Sequence, residues 1–194
     1  MKQRKIVLAS ASPRRSELVK MLGFTDAVVH PAAGEECPPE GATPEETVKA
    51  LSRAKAEEVA AAEKDNEALV IAADTIVCLN GMILGKPHSE EEAFRMLSQL
   101  SGREHEVYTG VTLLDGDGEL CEAECTRVYF RTLTEEEIRR YIATGEPMDK
   151  AGAYGAQGLG ALFVRAIEGD FFNVMGLPLC RLGQMLARKG VPIL

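Results

Sequence analysis

The chain has 194 residues, 45% hydrophobic and 27% charged, with a formal net charge of −8 at pH 7. That length holds one generous domain or two small lobes sharing a cleft, with enough chain to bury a substantial core. The acidic balance speaks against a nucleic-acid coat or an anionic-membrane binder, and no apolar run approaches the roughly 20 residues that cross a bilayer.

The basic start, Met1-Lys2-Gln3-Arg4-Lys5, leads into a stretch too short and polar for a signal peptide. Ile6 to Ala9 reads as a short buried strand. Ser12 is then the expected N-cap of a helix, with Pro13 at its first position and Leu18, Val19 and Leu22 on one apolar face. Gly23 ends it. Arg14 and Arg15 therefore stand at a helix N-terminus, where unpaired N–H groups already favour an anion. Two guanidinium forks there suit a polyphosphate; two solvated surface charges are the competing reading.

Glu35 and Glu36 lie in a loop before Cys37-Pro38-Pro39, where acidic pairs are usually solvated. Three capping boxes predict helix starts at Thr43-Pro44-Glu45-Glu46, Ser89-Glu90-Glu91-Glu92 and Thr134-Glu135-Glu136-Glu137. Their helices run to about Ala62, Leu100 and Ala143. In the first of them Lys55 falls on the stripe of Val48, Leu51 and Val59, so it must snorkel, meet an acid or face a cleft.

Ala68 to Ala73 is a continuous apolar run, the pattern of a central buried strand, with Asp74 and Thr75 directly after it. A carboxylate at a strand's end can hold a divalent metal or take a proton from water; a local turn or cap is the bland alternative. Asn80-Gly81 predicts a hairpin between Ile76–Leu79 and Met82–Leu84. Lys86 follows in a tight Gly85-Lys86-Pro87 loop.

An antiparallel pair is expected over Glu106–Leu114 and Leu120–Arg131. Cys121 and Cys125 fall on its second strand without a neighbouring histidine, so the five cysteines read as free thiols of a reducing cytoplasm rather than a zinc site. A glycine-dense loop from Gly145 to Gly160 has the composition of a ligand wrap. Strands at Leu162–Ile167 and Phe171–Met175 and a helix from Pro178 to Arg188 complete the pattern. Hairpins alternate with crossovers, which predicts a mixed sheet.

His30, His88 and His105 form no triad pattern, and neither a P-loop nor a Rossmann glycine motif is present. Arg14, Arg15, Lys55 and Lys86, with Asp74 and Glu36, suit a metal-assisted attack of water on a phosphoanhydride. Residue chemistry alone names neither the base nor the bond broken.

Several segments, in this order, resemble the Maf family of nucleoside triphosphate pyrophosphatases. They are Leu8-Ala9-Ser10-Ala11-Ser12-Pro13-Arg14-Arg15, Ala54-Lys55-Ala56, Ala73-Asp74-Thr75, Leu84-Gly85-Lys86-Pro87, Leu100-Ser101-Gly102 and the stretch from Asp149 to Gly158. The resemblance implies a single domain over residues 1–194: an α/β fold with a mixed sheet, flanking helices and two lobes around a deep central cleft, related to the inosine triphosphate pyrophosphatases. It further implies cleavage between the α- and β-phosphates with a divalent cation, Mg2+, Mn2+ or Co2+. By matching position, Asp74 becomes the proton acceptor, Ser10, Arg14, Arg15, Lys55 and Lys86 hold the phosphates, and Glu36 shares the metal with Asp74.

Arg14, Thr75 and Gln157 match the branch acting on dTTP and UTP; the 7-methyl-GTP branch carries Trp, Gln and Glu there. Ala156 departs from the larger aliphatic residue usual at its place. Two other functions stay open: a nucleotide-binding regulator of cell division and septum formation, and a 7-methyl-GTP pyrophosphatase. The expected partner is a small-molecule nucleotide in the cytoplasm, with no nucleic acid and no membrane, and a homodimer follows only from the resemblance.

Overall fold

The structure, a computed structural model, describes residues 4–34, 37–63 and 67–194. In chain order its elements are β1 (Ile6–Leu8), α1 (Pro13–Met21), β2 (Val28–Val29), α2 (Pro44–Ala62), β3 (Leu69–Leu79), β4 (Met82–Leu84), α3 (Glu90–Leu100), β5 (Glu104–Asp115), β6 (Gly118–Phe130), α4 (Glu135–Ile142), β7 (Val164–Glu168), α5 (Phe171–Met175) and α6 (Leu179–Arg188). The strands form one mixed sheet in the order β2-β1-β3-β5-β6-β7, with β4 also paired to β3. β1 runs parallel to β2 and β3, and the remaining pairs are antiparallel.

One irregularity of this sheet makes the cleft. β1 pairs with β3 only along Leu69–Ile71, and β4 pairs with the same edge only along Val77–Leu79. Between them that edge of β3 has no strand partner among the described residues. The chain leaves the sheet just after β1: the Ala9 N–H donates to the Ile71 carbonyl at 2.8 Å, and the backbone then turns off towards α1.

Side chains alternate across β3, so its two faces pack differently. Val70 and Ala72 pack with Ala56 and Val59 of α2. Ile71 and Ala73 pack with Leu18 of α1 and Leu182, Met185 and Leu186 of α6. Beyond the gap a second lobe forms where Val77 and Val107 meet Leu97 and Leu100 of α3, Tyr141 of α4, Tyr154 of the glycine-rich segment and Phe163 just before β7. The expected mixed sheet with two lobes around a central cleft is what the chain adopts.

Four local expectations need correction. β3 does not end at Ala73: the expected strand at Ile76–Leu79 is its continuation, so Asp74 lies mid-strand, held there by pairing with β5 from Val70 to Cys78. Phe171–Met175 is a short helix, because the Asp170 side chain caps the Phe172 N–H and buried Asn173 donates to the Val107 carbonyl and to Thr126. Tertiary bonds there override the strand preference of Phe and Val. Ser12 occupies the N-cap position of α1 but makes no side-chain cap. At Ser89 the hydroxyl caps Glu92, yet the Glu92 carboxylate accepts from the His88 N–H rather than from the cap residue. The boxes at Thr43 and Thr134 are complete.

Candidate active site

The gap in the sheet opens into a cleft of about 380 Å³ lined by Ser10, Arg14, Arg15, Lys55, Asp74, Thr75, Lys86 and Gln157, together with Asp149, Lys150, Tyr154 and Gly176. Every site residue expected from sequence is therefore gathered there, except Glu36, which lies outside the described residues. Five cationic side chains and two carboxylates share this wall.

Asp74 is only 6% exposed, a low value for a carboxylate. Its companion is Lys55, whose Nζ donates to Oδ1 at 2.5 Å. α2 lies across that face of the sheet, and the helical period that puts Leu51 and Val59 inside puts Lys55 over Asp74. Close approach of α2 depends on Gly110, the cross-strand partner of Asp74. A Cβ at residue 110 would stand 2.2 Å from the Val48 carbonyl oxygen.

The two arginines separate in role. Arg15 reaches three elements: Nε donates to the Gly176 carbonyl at 2.7 Å, Nη1 to the Ser10 hydroxyl at 3.3 Å, and Nη2 to the Thr75 hydroxyl at 2.9 Å. Arg14 points across the mouth, with Nη1 4.0 Å from Asp149 Oδ2. Thr75 is backed by Thr109, hydroxyl to hydroxyl at 2.9 Å, and Thr109 donates to the Asn173 carbonyl at 3.2 Å.

The facing wall is the glycine-rich segment. Gly152 sits at φ +68 with its α-carbon against Val77, where a side chain would collide at 2.9 Å, and its N–H donates to the Gly85 carbonyl. That contact joins the Lys86 loop to this wall. Lys150 donates to the Glu146 carbonyl and to Asp149 Oδ1, both at 2.7 Å. Burial alone would raise the Asp149 carboxyl, but the Lys150 bond and charge and nearby Arg14 outweigh it and hold the group below its ordinary range. Tyr154 is buried, with its hydroxyl 2.8 Å from His105 Nε2, and burial pushes that hydroxyl's pKa up. Gln157 stands exposed on the rim.

Sequence reasoning flagged the Asp149–Gly158 segment but gave no role to Asp149, Lys150 or Tyr154. A charged pair heading a glycine-dense stretch was the available signal. Thr109 and Asn173 carried no signal at all, since their importance comes from what lies behind Thr75.

Among the described residues no group of three His, Cys, Asp or Glu side chains comes together to cage a metal. A lone buried carboxylate among cations is instead the donor set for a hard divalent ion that arrives with phosphate oxygens and water as its other ligands. The residues present fit such an ion.

A mixed sheet split by a cleft, with cations ringed around one buried carboxylate, defines a polyphosphate-binding α/β protein. The chain belongs to the Maf family: residues 5–189 match the family described as Maf-like protein. A protein of Pelotomaculum thermopropionicum named dTTP/UTP pyrophosphatase is 52% identical over 193 residues, spanning 98% of this chain and 100% of its own length. One of the same name from Methanosarcina barkeri is 50% identical over 192 residues, spanning 98% and 96%. Among solved structures, a HAM1 protein from Coxiella burnetii shares the fold with a TM-score of 0.51 at 16% identity, covering 96% of this chain and 100% of that one.

Proposed function

We propose that residues 1–194 act as one catalytic unit that hydrolyses nucleoside triphosphates between the α- and β-phosphates, giving a nucleoside monophosphate and pyrophosphate. The preferred substrates are dTTP and UTP, with modified pyrimidine nucleotides beside them. The observation that carries this reading is the buried Asp74 carboxylate set among Arg14, Arg15, Lys55, Lys86 and Lys150. The charge on a triphosphate needs several fixed cations, and fixed cations in a partly dry cleft also stabilise the charge that develops on the leaving pyrophosphate.

In this reading Lys55 fixes Asp74 through Oδ1, which leaves Oδ2 to accept the proton of the attacking water. Ser10, Arg14, Arg15 and Lys86 hold the phosphates in line with that water. Asp74 and, outside the described residues, Glu36 would hold a divalent cation, Mg2+, Mn2+ or Co2+, which would supply further charge neutralisation at the phosphates. Arg14, Thr75 and Gln157 read the base. The names of the relatives at about half identity over nearly the full chain support the pyrimidine preference. Among the described residues no helix is long and apolar enough to cross a membrane, and we place the enzyme in the cytoplasm, as a homodimer, with nucleotide as its partner.

Steady-state turnover of the purified protein against dTTP, UTP, GTP, ATP and 7-methyl-GTP, with pyrophosphate detection, tests the reading. Equimolar monophosphate and pyrophosphate, formed fastest from dTTP and UTP, is the expected result. Orthophosphate as the product would refute the bond assignment, and fastest turnover of 7-methyl-GTP would refute the base assignment. Tight nucleotide binding without turnover would instead favour a binding regulator.

A further inference from the structure

Behind the cleft runs a chain of hydroxyls whose proton directions can be worked out. Thr109 is fully buried, and its hydroxyl has two neighbours: the Thr75 hydroxyl at 2.9 Å and the Asn173 carbonyl at 3.2 Å. A carbonyl oxygen only accepts, so the single Thr109 proton goes to Asn173. Thr109 then has only a lone pair for Thr75, and the bond between the two hydroxyls must use the Thr75 proton. Arg15 Nη2 donates to Thr75 at 2.9 Å and occupies one of its two lone pairs. What Thr75 can offer a ligand in the cleft is one remaining lone pair and no proton.

We infer that Thr109 is a specificity-determining positioning residue: by pinning the Thr75 proton it makes the Thr75 hydroxyl acceptor-only, so the site selects nucleotides that present an N–H or O–H donor to it. This rests on the proposed pyrimidine nucleotide activity and deepens it. Two donors shared by UTP and dTTP have this chemistry, the base N3–H and the sugar 3′-hydroxyl. The site is rigid at this point. Asn173 is itself buried, and it bonds Val107 and Thr126 through its side chain, while its carbonyl also accepts from the Gly176 N–H. Reversal of the hydroxyl chain would leave the Thr109 and Asn173 oxygens 3.2 Å apart with no proton between them, which disfavours it.

The test compares UTP, 3-methyl-UTP, which lacks the N3–H, and 3′-deoxy-UTP, which lacks the 3′-hydroxyl, in wild-type, Thr109→Val and Thr109→Ser protein. Wild type should disfavour one of the two analogues in kcat/KM by about three- to tenfold, the size of one net hydrogen bond. Which analogue suffers identifies the donor. Thr109→Val frees the Thr75 proton, so that discrimination should collapse towards unity, with KM for UTP moving more than kcat. Thr109→Ser keeps the acceptor and should restore it. Thr109→Ala reads the same effect without a methyl against the Asn173 carbonyl, should the valine variant not fold. Discrimination unchanged in the valine or alanine variant, or lost equally in the serine variant, overturns the inference. Absence of UTP turnover in wild type is a different result: it removes the proposed function itself, and the inference with it.

Discussion

Arg14 and Arg15 are neighbours in sequence with the same side chain, yet their surroundings predict different consequences of removal. Arg15 ties Ser10, Thr75 and Gly176 together, three points on three segments around the cleft. Arg14 is half-buried at the mouth, near Asp149 at 4.0 Å. Arg14→Ala should therefore weaken triphosphate binding about tenfold or more, as expected for a lost charge-assisted bond, and leave the melting temperature nearly unmoved. Arg15→Ala should lose affinity and also about 1–3 kcal/mol of stability, because it strips donors from part-buried acceptors. Calorimetric melting with nucleotide titration separates the two, and equal melting temperatures for both variants would contradict the distinction. Asp74→Asn keeps the shape at a buried position but removes the proton acceptor, so turnover should fall by about 10²–10⁴ with the fold intact. Near wild-type turnover would reject Asp74 as the base. At this scale the sequence was highly legible. The helical period put Lys55 on the core-facing stripe, to snorkel, meet an acid or face a cleft, and in the structure it meets Asp74 at the cleft. Thr109 could not be singled out, since nothing local marks a threonine as the support of another threonine 34 positions away.

The elements divide in the same way between local and distant causes. Thr43 and Thr134 begin helices through bonds that close within four residues, so their positions could be read directly. The extent of β3 is set by β5, nine paired residues long, and Asp74-Thr75 looked like a strand end only because its polar pair breaks the apolar run. α5 inverts the case: an apolar, strand-like segment is bent into a helix by the buried bonds of Asn173, and this brings Met175 and Gly176 to the cleft. Packing of α2 on β5 yields a further test. Gly110→Ala places a methyl group against the backbone of Val48, which has no flexible end to swing aside. The helix must lift, at a cost of about 1–3 kcal/mol for overpacking, and Lys55 moves off Asp74 as it does. Thermal unfolding and turnover should fall together in this variant. Full activity at a lowered melting temperature would show that the Lys55–Asp74 contact survives the shift.

Across the whole molecule the sheet and the glycine-rich wall are joined by an aromatic cluster that includes a histidine. His105 on β5 is 2% exposed, lies edge-on to Phe130 and Tyr154, and bonds the Tyr154 hydroxyl through Nε2. Its Nδ1 is buried with no hydrogen-bond partner among the described residues, so a second proton there would be poorly solvated. Burial accordingly lowers its pKa from 6.5 to about 4. The unfolded chain then binds the proton more readily than the folded one throughout that interval. Stability from His105 is fully present above about pH 6.5 and is lost progressively as pH falls towards 4, by roughly 3 kcal/mol in all. Carboxylates such as Glu137, lowered to about 2 by its bonds to Arg131 and Thr134, lose their contribution in the same direction but from about pH 4.5 downward. The two effects thus occupy separate windows. Denaturant unfolding followed from pH 7 to 4 should show a decline that begins near 6.5 in wild type. In His105→Gln, which can still reach the Tyr154 hydroxyl but carries no titrating proton, the curve should stay flat until the carboxylates begin to protonate. A decline between pH 6.5 and 5 of the same size in both proteins would assign it to another group and leave His105 a neutral packing residue with no role in acid stability.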